Sequence, residues 1–176
     1  KQLNVKAGWG TEKLGDVCNI IGGGTPAKSN ANFYKGQIPW ATVRDMNFDV
    51  LANTEFRISE EAVKASSTNV IPKGNIIIAT RVGLGKVCVL AQNTAINQDL
   101  KAVIPRKNCQ LIESFLFWWF KIIGSKIISE GTGATVKGVK LPFIKGLMIP
   151  FPPIEEQKRI VAILDEAFEQ IERAKA

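Results

Sequence analysis

The stretch Pro152-Pro-Ile-Glu-Glu-Gln-Lys-Arg-Ile160 decides how the chain is organised, because it ends one kind of structure and begins another. The two prolines interrupt the structure before them, and Pro153 suits a first helical turn, where its missing N–H is not needed. Glu155 and Glu156 then suit the positive end of a helix. The sequence therefore predicts a helix that begins near Pro153 and continues towards the last residue.

This predicted helix carries an apolar stripe at alternating spacings of four and three residues, which is typical of a coiled coil. The stripe leaves two alternatives open: a terminal helix folded back on its own domain, or a coiled-coil strut that packs against a second domain or chain. We predict that the helix projects from the domain and packs on a partner helix. The packing residues are predicted to be Ile160, Leu164, Ala167, Phe168 and Ile171.

Together with Leu164-Asp-Glu-Ala-Phe168, this stretch resembles the start of the spacer helix in specificity (S) subunits of type I restriction-modification enzymes. Other segments follow in the order and spacing of that family: Gly24-Thr-Pro26, Ile38-Pro-Trp40, Ile71-Pro-Lys-Gly74, Asn97-Gln98 and Gly131-Thr-Gly-Ala-Thr135. The resemblance covers nearly the whole chain. It implies a DNA target-recognition domain over residues 1–150, followed over 151–176 by a spacer or coiled-coil helix.

Short apolar runs bounded by turn residues indicate a strand-rich fold. Strands are predicted at 38–43, 75–80, 87–90, 100–104 and 147–149, with the second and third of these forming a hairpin. Helices are predicted from a Ser59 cap to about Lys64, and over residues 111–123. The expected class is α+β: a mixed, strand-rich domain with inserted helices, followed by a C-terminal coiled-coil-type helix.

Charge is divided unevenly along the chain, whose formal net charge is +7. Residues 151–176 hold four basic and six acidic side chains, a net charge of −2, whereas residues 1–150 hold 19 and 10, a net charge of +9. A basic body favours an anionic partner, most often nucleic acid. Charge alone leaves open that the lysines are solvated surface residues serving solubility.

Catalysis by the chain alone is not indicated by its residues. Histidine, the most frequent general base, is absent. The glycine loops at 22–24 and 83–86 lack the spacing of a dinucleotide fingerprint or a P-loop. The three cysteines lack metal-ligand spacing and are predicted to be reduced core thiols. We therefore expect no catalytic residue, no metal site and no cofactor on this chain.

The glycine-rich loops carry basic and planar side chains that suit contacts with DNA. Lysines on such loops can reach phosphates, whereas arginine, asparagine and glutamine have the donor geometry needed to read bases. Asn97 and Gln98 have an alternative role, which is to hold a tight turn. Tyr34 and Trp40 are expected to pack in the core or at its rim. The predicted DNA-binding residues are Thr25, Lys28, Lys35, Arg44, Arg81, Lys86, Asn97, Gln98, Lys137 and Lys140.

The resemblance implies a non-catalytic module that reads one half of a bipartite target in double-stranded DNA. Its partners would be a methyltransferase (M) subunit, a restriction (R) subunit, and a second recognition domain or second copy reached through the C-terminal helix. S-adenosylmethionine, ATP and Mg would belong to the partner subunits. Two other functions stay open on the residues alone: a basic scaffold for an acidic protein, and a small nucleotide-binding enzyme.

The sequence also gives expectations about location and completeness. The run 115–120 is too short to cross a bilayer and no signal peptide is found, so a cytoplasmic protein without membrane contact is expected. The absence of an initiator Met and the unfinished apolar stripe favour a fragment of a two-domain subunit over a natural half-length one.

Overall fold

The structure is a computed structural model that describes residues 8–133 and 137–175. The strands are β1 (Gly10–Lys13), β2 (Cys18–Gly22), β3 (Ile38–Ala41), β4 (Val50–Leu51), β5 (Phe56–Ile58), β6 (Asn69–Ile71), β7 (Ile76–Ala79), β8 (Val87–Leu90), β9 (Thr94–Ile96), β10 (Leu100–Pro105) and β11 (Met148–Phe151). The α-helices are α1 (Leu14–Val17), α2 (Glu60–Lys64), α3 (Glu113–Ser129), α4 (Leu141–Gly146) and α5 (Ile154–Lys175).

Among the described residues these strands form two larger sheets and one small one. The order is β2-β10-β7-β8-β4 in the five-stranded sheet, β5-β3-β9-β6 in the four-stranded sheet, and β1-β11 in the third. The β3–β9 and β4–β8 pairs are parallel and the others antiparallel. Helices α2 and α3 lie between strands in the chain, so the predicted mixed α+β class is confirmed.

Strand β7 occupies the middle of the five-stranded sheet and is buried on both faces. Because side chains alternate along a strand, Ile76 and Ile78 point towards α3, whereas Ile77 and Ala79 point towards the core shared with the four-stranded sheet. This double burial explains the continuous apolar run from which the strand was predicted. The predicted hairpin is also confirmed, since β7 pairs antiparallel with β8.

Several elements were not predicted from the sequence, among them β1, β4, β5, β6, β9 and α4. β1 pairs with β11, placing Thr11 opposite Pro150, and α4 lies between the 137–140 segment and β11. The residues of β1 are all exposed and lack apolar alternation, so their strand conformation depends on a partner far along the chain. The predicted boundary at residue 150 falls inside β11, and the division into two domains stays a prediction.

Helix α3 lies over one face of the five-stranded sheet and provides most of the aromatic side chains of the main core. It begins at Glu113, two residues later than the predicted 111–123 segment, and continues to Ser129. Phe120 and Leu116 are fully buried there. In the described part of the chain, no helix has the length and apolar character to cross a membrane.

The first half of α5 packs on α3 of the same domain. Ile160 and Leu164 contact the main core, and the Phe168 ring lies 4.5 Å from the Trp118 ring, centroid to centroid. The Trp118 indole N–H also donates to a carboxylate oxygen of Asp165 at 2.8 Å. For these residues the structure therefore corrects the prediction of a helix projecting from Pro153: the folded-back alternative holds.

The remaining part of the stripe on α5 has no cover within the described residues. Ile163, Ala167 and Ile171 are exposed. They lie four residues apart and so form a second line beside that of Ile160, Leu164 and Phe168. One helix thus carries two apolar lines, one used within the domain and one left open.

The cysteines are free and the predicted role as core thiols is confirmed for two of them. Cys18 and Cys88 are buried, and Cys109 is half-buried. Burial raises the pKa of Cys18 to about 12 and that of Cys88 to about 11. Both therefore remain protonated and unreactive at neutral pH.

Gln157 fixes the start of α5 to the segment before α3. Its side chain is fully buried, and its amide N–H groups donate to the carbonyl oxygens of Gln110 at 2.6 Å and Pro152 at 2.9 Å. Its carbonyl oxygen accepts from the backbone N–H of Ile112 at 3.0 Å. One side chain thus satisfies three backbone groups at a helix–helix junction.

We predict that Gln157→Leu strongly destabilises the domain. The substitution leaves these backbone groups buried without partners, and each such group costs about 1–3 kcal/mol, so a loss of about 2 kcal/mol or more in unfolding free energy is expected. The matched control is Gln170→Leu, because Gln170 is exposed on the same helix and its amide donates to the exposed Glu166 carboxylate. Urea denaturation measures both. Equal, small effects of the two substitutions would contradict this role of Gln157.

Candidate nucleic-acid interface

A groove of ≈ 770 Å³ opens where loops from the two larger sheets meet. We call it the loop groove. It is lined by Thr25, Lys28, Tyr34, Trp40, Thr42, Val43, Arg44, Phe56, Val82, Asn97, Gln98 and Asp99. It therefore brings together five residues that the sequence predicted to contact DNA: Thr25, Lys28, Arg44, Asn97 and Gln98.

Aromatic side chains form one wall of the loop groove and hold its first loop in place. Trp40 is buried, and its indole N–H donates to the carbonyl oxygen of Gly24 at 3.1 Å. The Tyr34 hydroxyl donates to the carbonyl oxygen of Pro26 at 2.8 Å. Tyr34 and Phe56 both pack edge-on against the Trp40 ring. The expected packing role of Tyr34 and Trp40 is confirmed, and it places Thr25 at the groove.

The glycines before Thr25 are required by close backbone contacts. A Cβ atom on Gly23 would lie 2.2 Å from the carbonyl oxygens of Ile96 and Asn97, and one on Gly24 would lie 2.7 Å from the backbone of Ser67 and Thr68. Only glycine permits such an approach. Gly23 and Gly24 are therefore explained by packing against the chain's own backbone.

A short 3-10 turn, Val43–Asp45, presents Arg44 at the groove edge. The Asp45 carboxylate accepts from the Thr42 backbone N–H at 2.7 Å and, with its other oxygen, from the Glu55 backbone N–H at 2.7 Å. These bonds fix the turn. The Arg44 side chain is exposed and lies 3.9 Å from the Glu55 carboxylate, a surface pair that leaves most of its donors free.

Arg81 stands at the end of β7, beside Asp99 of the groove wall. Its guanidinium lies 3.3 Å from the Asp99 carboxylate. The backbones are joined as well, because Thr80 N–H donates to the Asp99 carbonyl oxygen at 2.9 Å. Arg81 thus contacts the loop groove through Asp99. Arg81 itself is not among the lining residues, whereas its neighbour Val82 is.

Asn97 and Gln98 have different surroundings. Asn97 is buried. Its side-chain carbonyl oxygen accepts from the Asp99 backbone N–H at 3.1 Å, and its side-chain nitrogen lies 3.4 Å from the Asp99 carboxylate. These bonds support the turn-holding alternative for Asn97, whose role as a base contact stays a prediction. Gln98 is exposed and accepts a hydrogen bond from the Thr25 hydroxyl across the groove.

The other predicted lysines are exposed around the loop groove rather than in its lining. Lys35 ends the 3-10 turn Ala31–Tyr34, and Lys86 closes the 83–86 turn before β8. Lys137 and Lys140 flank Val139, whose backbone N–H donates to Thr80 at 2.9 Å, so this segment lies next to Arg81. The predicted contact segment 132–140 includes Ala134, Thr135 and Val136, which lie outside the described residues.

Sequence reasoning missed the apolar and acidic residues of the groove. Val82 and Phe56 are partly exposed in the loop groove, and Asp99 contributes a carboxylate to its lining. Lys101 was also missed; its ammonium donates to the Gln98 carbonyl oxygen at 3.3 Å, and burial lowers its pKa. In the sequence, Asp99 follows Asn97 by two residues, which is a spacing typical of an Asx turn. This spacing could have indicated that Asp99 lies in a turn with Asn97.

The loop groove combines cations at its edge with planar hydrogen-bonding groups and apolar surface within it. Lys28 and Arg44 can neutralise phosphates, and Gln98 and Arg81 can donate to base edges. Across residues 8–133 and 137–175, no cluster of three or more His, Cys, Asp or Glu side chains is placed to hold a metal ion. The arrangement suits binding of a polyanion with readable edges.

Comparisons with known proteins give matches over nearly the whole chain. Residues 6–176 match the family model described as Type I restriction modification DNA specificity domain. The EcoR124I/EcoR124II specificity subunit of Escherichia coli is 37% identical over 160 residues, which are 87% of this chain and 39% of that protein. The MjaIX specificity subunit of Methanocaldococcus jannaschii is 30% identical over 175 residues, 95% of this chain and 39% of that protein.

Solved structures show the same fold. A chain studied for complex assembly and conformational transition of the type I R-M system matches with a TM-score of 0.78 and 27% identity, over 99% of this chain and 42% of its own length. The HsdS subunit of Thermoanaerobacter tengcongensis matches with a TM-score of 0.76 and 24% identity, over 99% and 42%. The chain thus spans about two fifths of each relative.

Proposed function

The chain belongs to the type I restriction modification DNA specificity family, and from this we propose that it is a non-catalytic DNA-recognition module of a type I restriction-modification system. The observation that carries the proposal is the loop groove, in which cationic, planar and apolar side chains converge at the ends of the two sheets. Phosphate contacts would position DNA, and groups inside the groove would read it.

The share of its relatives that the chain spans supports a role as one recognition unit. It covers 39% of the two specificity subunits that it resembles. We propose that it reads one half of a bipartite target in double-stranded DNA and directs M and R subunits to that target. S-adenosylmethionine, ATP and Mg would act on those partners. Location in the cytoplasm stays a prediction.

The two other functions have less support. Nucleotide binding loses its basis at Gly23 and Gly24, because these glycines fit against backbone rather than around a phosphate. The scaffold function explains the basic body, with its net charge of +9 over residues 1–150, but not the planar groups within a concave groove. DNA recognition accounts for both.

We predict salt-sensitive and sequence-selective binding to duplex DNA. Each neutralised phosphate contributes roughly 0.9 to the slope of log affinity against log salt, so cations at Lys28, Arg44 and their neighbours should give a slope of about −3 or steeper. A selection from randomised duplexes, with and without the cognate M subunit, should enrich one short motif. Affinity that does not change with salt, together with no enriched motif, would contradict the proposal.

We predict that Arg81→Ala relaxes sequence preference, whereas Lys28→Ala weakens binding to all duplexes alike. A bidentate base contact is worth roughly 1–3 kcal/mol of discrimination, but a lysine–phosphate contact carries none. Titration of each variant against the selected duplex and a scrambled one separates the two effects. The same uniform loss in both variants would make Arg81 a backbone contact.

We propose further that the open apolar line of α5 packs against another helix. Ile163, Ala167 and Ile171 lie along it, while the line of Ile160, Leu164 and Phe168 is already used within the domain. The partner would be a second copy of this chain or a second recognition domain of a longer subunit. Paired helices of this kind would set the spacing between two DNA half-sites.

We predict opposite results for a charge placed on the two lines. Ile171→Asp should abolish self-association and leave the melting temperature unchanged, because Ile171 is 47% exposed. Leu164→Asp should lower the melting temperature, because it puts an unpaired charge against the domain core. Light scattering and thermal melting measure both. Association that survives Ile171→Asp would exclude this line as the interface.

A further inference from the structure

We propose that Asp99 is a positioning residue for DNA recognition: it orients the guanidinium of Arg81 towards the edge of a guanine. This inference rests on the proposed function and extends it, because it names the base and a residue that determines the choice. Asp99 was not among the residues predicted from the sequence. Its carboxylate belongs to the groove wall, where a negative charge is unfavourable towards DNA.

The backbone beneath this pair is held by strand pairing. β7 and β10 are antiparallel neighbours, with Ala79 opposite Leu100. One step beyond, both the backbone N–H and the hydroxyl of Thr80 donate to the Asp99 carbonyl oxygen, at 2.9 and 3.2 Å. The backbones of Thr80, next to Arg81, and of Asp99 are therefore joined at the end of the sheet by bonds that do not depend on the ion pair.

A chain of polar contacts then orders the side chains. Buried Asn97 accepts from the Asp99 backbone N–H and approaches the Asp99 carboxylate with its amide. The other carboxylate oxygen faces Arg81 at 3.3 Å. The Asp99 side chain is 17% exposed and that of Arg81 is 53% exposed, so the acid is sheltered and the guanidinium is presented. Asn97 thereby helps to orient the Asp99 carboxylate.

This arrangement suits guanine in particular. A guanidinium has five N–H donors, and one contact to Asp99 leaves a pair that can donate to guanine O6 and N7. An arginine held before binding loses less side-chain freedom on contact with the base. A free arginine at the same place would settle equally on a phosphate. The Asp99 carboxylate thus weakens the overall attraction to DNA and increases the discrimination between bases.

The test is Asp99→Asn, which removes the charge while keeping the shape of the side chain. It should raise affinity for a scrambled duplex about twofold or more, because a negative charge near phosphates is lost. At the same time it should lower the preference for the selected duplex over one with the guanine pair inverted by about fivefold or more. A purely structural residue would not change these two quantities in opposite directions.

The matched control is Glu55→Gln, since Glu55 pairs with Arg44 at the edge of the same groove and is half exposed. It should raise scrambled-duplex affinity to a similar extent and leave the preference unchanged. Within an Arg81→Ala background, Asp99→Asn should have no further effect on preference. Melting curves check that each variant is folded, and Arg81→Lys, which keeps the charge but not the fork, tests the same orientation without altering Asp99.

Four results would overturn the inference. If Asp99→Asn keeps the full sequence preference, Asp99 does not act through Arg81. The same conclusion follows if Asp99→Asn lowers the sequence preference in the Arg81→Ala background as well. Preference kept by Arg81→Lys shows that orientation of the fork is not what is read. If the unaltered chain binds no duplex selectively, the proposed function fails and the inference fails with it.

Discussion

The antiparallel pairing of β7 with β10 is the constraint on which the rest of the structure depends. It sets Ala79 opposite Leu100 and so places the residues that follow β7 against those that precede β10. Inside the sheet, the same strand separates the α3 core from the core between the two sheets. At its end, it brings Arg81 beside Asp99 and thereby builds one wall of the loop groove. The stability of the domain and the proposed recognition of DNA therefore depend on the same register of β7 and β10. A one-residue slip would turn Ile77 and Ile78 to the wrong faces of the sheet and separate the Arg81–Asp99 pair.

Helix α5 is held against the domain at two places. Gln157 holds its first turn through three backbone groups, and Trp118 holds its middle through Asp165 and Phe168. Such fixing gives the exposed line of Ile163 and Ile171 a defined direction relative to the groove. In the proposed pairing with another helix, a loosely held α5 would not set a fixed spacing between two DNA half-sites. Gln157 lies in the segment 152–160 that resembles the family's spacer helix. The sequence alone did not indicate that its side chain would bond three buried backbone groups.

Prediction from sequence succeeded where the signal was local or periodic. The apolar run of β7, the hairpin with β8, the Ser59 cap of α2 and the α3 segment were all predicted. β1 was not, because its conformation depends on β11 and its residues have no periodicity. In the groove, basic residues were found by charge, but Asp99 and Val82 were missed, since their roles follow from neighbours distant in sequence. Asn97 was predicted as either a base contact or a turn residue, and only burial distinguishes the two.

The central claim, that DNA lies in the loop groove, is tested most directly by site-specific photocrosslinking. A benzophenone amino acid in place of Val82, which is 48% exposed in the groove, should crosslink to duplex DNA, and unlabelled selected duplex should compete it away. The same probe in place of Ile163, which is 52% exposed on α5, serves as the control and should not crosslink. Crosslinking from Ile163 but not from Val82, or from neither position under conditions of measured binding, would contradict the account.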